Sequence, residues 1–75
     1  MGEAFTKRVA AEVRAEMARQ QISQEKLASL TGLSQSRISR RLVGDRPFDV
    51  TELAAIAIAL GVPVMQFMPA EIVAS

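Results

Sequence analysis

TGLSQSRISRR, residues Thr31–Arg41, gathers three arginines, four small hydroxyl side chains and a glutamine. No acidic residue stands between Glu25 and Asp45. A helix that only packs on a core usually mixes its charges. The run is therefore either a solvated, arginine-rich face or a surface for a polyanion. Its flanks divide it. Ser34 is of the type that caps a helix start, and the spacing predicts a helix over about Gln35–Val43. Only Ile38 and Leu42 are clearly apolar there, four residues apart, which makes one narrow inward stripe. Gln35, Ser36, Arg37, Ser39, Arg40 and Arg41 are polar. Gly32 breaks the chain before this helix and Gly44 after it.

Working outward, Ser23 caps a short second helix, Gln24 to Leu30 or Thr31, with Leu27 and Leu30 expected to point inward. Ala28 is small where a neighbouring helix must come close, and Leu33 can plug the corner. Upstream, Phe5, Val9, Val13 and Met17 recur every four residues with Ala10 beside them, a stripe along a first helix of roughly Glu3–Gln20. Lys7, Arg8, Glu12, Arg14, Glu16 and Arg19 fall mostly off it. Downstream, GDRP reads as a turn. Asp49 followed by Glu52 fits a capping box, opening a fourth helix over Val50–Leu60. That helix is apolar nearly all round and is expected to be the central buried element. Gly61 ends it. Pro63 starts a short fifth helix with Val64, Met65, Phe67 and Met68, and Pro69 limits its length. The tail AEIVAS carries no readable pattern.

The 75 residues make one small domain, 1–75, with no internal repeat and no strand signal. The chain lacks cysteine and histidine, which removes disulfides, thiolate metal sites and histidine-based catalysis. Asp45, Asp49 and Glu52 are the nearest thing to a metal cluster, and capping and turn formation account for them. No metal, cofactor or catalytic constellation is expected, and the protein does not read as an enzyme. The window LAAIAIALGV is too short to span a bilayer, and the N-terminus does not read as a signal peptide. The expected location is therefore cytoplasmic. Net charge is only +1, but its distribution is uneven. Lys26–Gly44 holds four bases and no acid, and Phe48–Ser75 holds three acids and no base.

A short helix, a glycine turn and a second helix with a single apolar stripe form a helix-turn-helix over about residues 23–44. SQEKLASLTGLSQSRISRRLVG, Ser23–Gly44, resembles the helix-turn-helix of the lambda-repressor-like DNA-binding domains, also called the xenobiotic-response-element family. ELAAIAIALGVP, Glu52–Pro63, is similar to the helix that usually follows it in that family, and the resemblance covers about Ser23–Met68. It implies an all-α, compact five-helix domain that binds double-stranded DNA. The third helix would lie in the major groove of a target, most simply as a transcriptional repressor. The ISRRLVG variant looks similar to bacterial and phage forms.

The same resemblance assigns positions. Gln35 and Ser36 fall where family side chains enter the groove. Arg40 and, before it, Ser39 match further groove-facing positions, and Arg37 reaches a phosphate or a base. Gln24 matches a glutamine that contacts a phosphate and buttresses the reading helix. Lys26, Ser34, Arg41 and Arg46 are the remaining phosphate candidates. Arg41 departs from the pattern, because the family often has an apolar residue there. Either Leu42 takes over the packing or the helix ends slightly turned, and phosphate contact suits Arg41 better than base contact. The chemistry agrees: a glutamine amide pairs with adenine and an arginine fork with guanine, and arginine without such a partner is ordinary solvated surface.

One reading helix covers few base pairs, so a homodimer is expected, through the apolar VPVMQFM near the chain end. No room remains for a small-molecule-sensing domain. Three alternatives stand beside a repressor. They are an antitoxin that also binds a toxin, the N-terminal module of a longer repressor, and a protein-interaction adaptor on the same fold.

Overall fold

A computed structural model describes residues 2–69. Four α-helices form: α1 (Gly2–Gln20), α2 (Gln24–Thr31), α3 (Gln35–Leu42) and α4 (Val50–Leu60), followed by one 3-10 turn, Val64–Phe67. Among the described residues there is no strand, and no helix is long and apolar enough to cross a membrane.

The caps lie where the sequence places them. Ser23 accepts from the Lys26 amide at 3.0 Å and Ser34 from the Arg37 amide at 3.1 Å. Asp49 accepts from the Glu52 amide at 2.7 Å, while Glu52 accepts from the Asp49 amide at 3.1 Å, completing the capping box. Gly32 closes α2 at φ 78°, a left-handed conformation that costs a residue with a Cβ more than it costs glycine. Gly44 also has a positive φ, 81°, and a Cβ there would stand 3.0 Å from Lys7 Cγ on α1.

The core is one cluster. Val9, Val13 and Met17 of α1 meet Leu27, Ile38 and Leu42, and Leu53, Ile56, Ala57 and Leu60 of α4 close it with Phe67. α2 packs on α3 and α4, and α1 packs on α3, α4 and the 3-10 turn. Leu33 and Phe5 pack on this cluster from partly buried positions.

Three expectations about the apolar residues and the helix count need correction. The fifth helix is a single 3-10 turn, because only four residues fit between Pro63 and the extended Met68 (ψ 140°). Pro69 disfavours helical backbone at the residue before it, so the turn cannot continue. Leu30 is 48 % exposed while Leu27 is fully buried. The inward face of α2 runs through Leu27, Ala28 and Thr31, and Leu30 lies about 100° round the helix from its centre. Finally, α4 is not buried all round. Leu53, Ile56, Ala57 and Leu60 face the core, but Val50 and Ile58 are each 82 % exposed. A chain this small has too few elements to cover a central helix on every side. The tail expectation, residues 70–75, lies outside the described residues.

Two polar clamps hold α1. Arg14 Nη1 donates to the Leu42 carbonyl at the end of α3. Glu16 is buried, against the expectation that it lies off the stripe. Its oxygens accept from Arg19 Nη2 at 2.6 Å, from Gln20 Nε2 at 2.8 Å and from Gln66 Nε2 of the 3-10 turn. Gln20 Nε2 also donates to the Leu60 carbonyl at 2.7 Å, tying α1 to the end of α4. The hydrogen bond from Gln20, then that from Arg19, lowers the Glu16 pKa below its ordinary value, against the opposing effect of burial.

Two outcomes follow from this packing. Leu27→Ala should lower the free energy of unfolding by about 2–5 kcal/mol, whereas half-exposed Leu30→Ala should cost about 1 kcal/mol or less, by urea titration. Because the folded pKa of Glu16 is depressed, its contribution is fully present above the unfolded value of about 4.3 and is lost as pH falls through the folded value. Glu16→Gln should therefore be less stable than the wild type at pH 7. That gap should narrow below about pH 4 in melts recorded across pH. A gap independent of pH would mean the ionised carboxylate is not what stabilises.

Candidate nucleic-acid interface

α3 is held to the molecule by Ile38 and Leu42, 0 % and 2 % exposed. Leu42 thus takes the packing role that Arg41 leaves open. With one stripe buried, the remaining side chains of α3 are free of the core. Gln35, Ser36, Arg37 and Arg40 are exposed, and Ser39 and Arg41 are half-buried. The Ser34 cap fixes the start of the helix, so the first-turn side chains leave the surface from a defined backbone.

Six of the candidate residues come together. Ser34, Ser36, Arg37, Arg40, Arg41 and Arg46 line an open hollow of about 310 Å³. Its four guanidinium groups and two hydroxyls are donors of the kind that phosphate oxygens and guanine edges accept. Gln35 opens α3 and Ser39 lies on its side, both outside the lining of the hollow. Gln24 and Lys26 are exposed in the first turn of α2 and also stand apart from it.

The acidic residues around this surface divide by burial. Arg40 Nη2 approaches Asp45 Oδ2 at 3.5 Å, with both side chains 57 % exposed. Such a pair contributes about 0–1 kcal/mol and yields readily to a competing anion. Glu52 differs. It is 3 % exposed, lies on α4, and receives Arg41 Nε at 3.1 Å and Arg37 Nη1 at 3.7 Å. The sequence reading gave Glu52 only its capping role. Nothing local in the sequence marks the second role, because the arginines it meets lie on another helix and a solvated arginine needs no protein partner. Among the described residues no group of three acidic side chains stands where it could hold a metal ion.

Comparison with known proteins agrees with this geometry. A helix-turn-helix family model matches residues 13–67, from within α1 to the end of the 3-10 turn. The crystal structure of the restriction-modification controller protein C.AhdI from Aeromonas hydrophila has the same fold, with a TM-score of 0.83 at 25 % sequence identity. The similarity spans 87 % of this chain and 98 % of that one. No curated protein sequence matches significantly.

The cap at Ser34 gives a direct check on how the surface is built. Ser34→Ala should cost about 0.5–2 kcal/mol of stability, read as a lowered urea midpoint with an unchanged slope. An unchanged midpoint would show that the hydroxyl does not fix the start of α3.

Proposed function

We propose that this chain, which belongs to the lambda-repressor-like helix-turn-helix family, is a transcription regulator, acting most simply as a repressor, that reads double-stranded DNA sequence with α3. One observation carries the reading. α3 buries two side chains and presents the rest, three arginines among them, around a basic hollow. The major groove admits one helix, and its base edges offer a donor and acceptor pattern that such side chains can distinguish. Gln35, Ser36, Arg37, Ser39 and Arg40 are assigned to base edges. Gln24, Lys26, Ser34, Arg41 and Arg46 are assigned to phosphates, which set register. The weakness of the Arg40–Asp45 pair leaves Arg40 available for this. Expected surroundings are a bacterial or phage genome in the cytoplasm or nucleoid.

Two copies acting on half-sites one helical turn apart suit so short a reading helix. Val64 and Met65 of the VPVMQFM segment, 37 % and 52 % exposed, are the apolar side chains assigned to that contact. Similarity to a restriction-modification controller protein over nearly the whole of that chain favours a second reading, control of a restriction-modification locus. A promoter–reporter assay on the flanking operator distinguishes the two.

Selection from a random duplex library, followed by salt titration of the best sequence, tests the proposal. Wild type should select a sharp motif with two-fold symmetry and sediment on it as a dimer. Gln35→Ala and Arg40→Ala should each lose about 1–3 kcal/mol on that motif while the salt slope changes little. Weak, salt-governed binding to every duplex, insensitive to both substitutions, would sink the reading and favour an adaptor role. A sharp but asymmetric motif bound by one copy would remove the dimer.

A further inference from the structure

Glu52 stands behind the reading helix, and its two carboxylate oxygens have different surroundings. Oε1 accepts from the Asp49 amide and from Arg41 Nε, each at 3.1 Å. Oε2 is buried, accepts no hydrogen bond, and faces Arg37 Nη1 at 3.7 Å. A capping box needs only one oxygen. It gives no reason to bury the second against an arginine of another helix, where an unsatisfied carboxylate oxygen is costly. Arg37 and Arg41 are four residues apart on α3, so both meet Glu52 from the same side of that helix. Both also line the basic hollow. Each arginine thus lies between a buried anion on α4 and the surface assigned to DNA.

We infer that Glu52 is a positioning residue for DNA readout, setting the placement of Arg37 and Arg41 from a helix that does not itself read DNA. The inference rests on the DNA-reading function proposed above. Guanidinium carries five donors, so the Nε bond to Glu52 leaves the terminal nitrogens of Arg41 for a phosphate in a fixed orientation. Arg37, 54 % exposed and attracted without a hydrogen bond, is drawn to one side of the hollow but remains able to reach outward. Loose arginines bind any phosphate they meet. Arginines oriented by a fixed carboxylate favour the duplex whose edges and phosphates match that orientation. Glu52 therefore contributes to discrimination rather than to bare affinity.

The measurement is the ratio of Kd values for a scrambled duplex and the selected one, at fixed salt and below the melting range. Glu52→Gln retains an oxygen for the Asp49 amide and Arg41 Nε but sets an amide donor against Arg37. It should lower the ratio about tenfold, the scale of one misplaced base contact, with scrambled binding held or strengthened and selected binding weakened. Arg41→Lys keeps the charge without the fork and should lower the ratio similarly. The double variant should lose no more than the worse single change. Asp49→Ala breaks the other half of the capping box, so its Tm falls while its ratio stays within about twofold of wild type. An unchanged ratio in Glu52→Gln overturns the inference, as does a loss in Asp49→Ala equal to that in Glu52→Gln. If Glu52→Gln does not fold, an unchanged ratio in Arg41→Lys overturns it alone. Wild type binding all duplexes alike would remove the DNA-reading function, and the inference with it. That failure appears before any variant is made, so the two are distinguishable.

Discussion

Ile38 and Leu42 are the two side chains by which α3 is buried, and the arrangement of every other element follows from so narrow a stripe. A two-turn helix anchored by two residues is not stable alone. α1 and α4 must therefore supply most of the apolar surface, and α2 must brace α3 from the side. The same narrowness leaves the other faces of α3 outside the apolar core. The fold and the candidate interface are two results of one constraint, since adding a third buried residue to α3 would strengthen the core by removing a residue from the surface.

Much of this was legible in the sequence because short-range signals agree with each other. Ser23, Ser34, Asp49, Gly32 and Gly61 are caps whose chemistry acts within four residues, and each acts where it stands in the chain. The apolar positions of α1 and α3 likewise follow helical spacing. What was not legible depends on distance along the chain. Arg14 meets the Leu42 carbonyl, Gln66 meets Glu16, and Glu52 meets Arg41, partners 28, 50 and 11 positions apart in the chain. Periodicity labels a charged residue as surface and says nothing of a partner elsewhere, so both buried acids were missed. The excess exposure of α4 has the same origin. Apolar composition marks a helix as coverable, but only the number of neighbours decides how much of it is covered.

The charges follow a rule of burial. The two buried acids, Glu16 and Glu52, each hold a side chain from another element, Gln66 of the 3-10 turn and Arg41 of α3, and act as joints. The exposed Asp45 has one weak partner. The arginines of α3 lie further out: Arg37 and Arg40 are more than half exposed, and Arg41 commits its inner Nε to Glu52. A net charge of +1 thus conceals a face on which exposed arginines stand in front of one buried acid, Glu52. An approaching polyanion meets the bases first.

The length of α3 carries a consequence of its own. Eight residues span about 12 Å along the helix axis, the rise of only about three to four base steps. The Leu42 carbonyl, held by Arg14, and the turn at Gly44 stop it from growing longer. A four-letter word recurs by chance about once in 250 positions, whereas a genome offers about a million or more competing sites. Information, rather than affinity, is then what a single domain lacks. Doubling the word to eight letters reduces chance occurrences to about one in 65,000, leaving about fifteen chance matches among a million sites where the four-letter word leaves about four thousand.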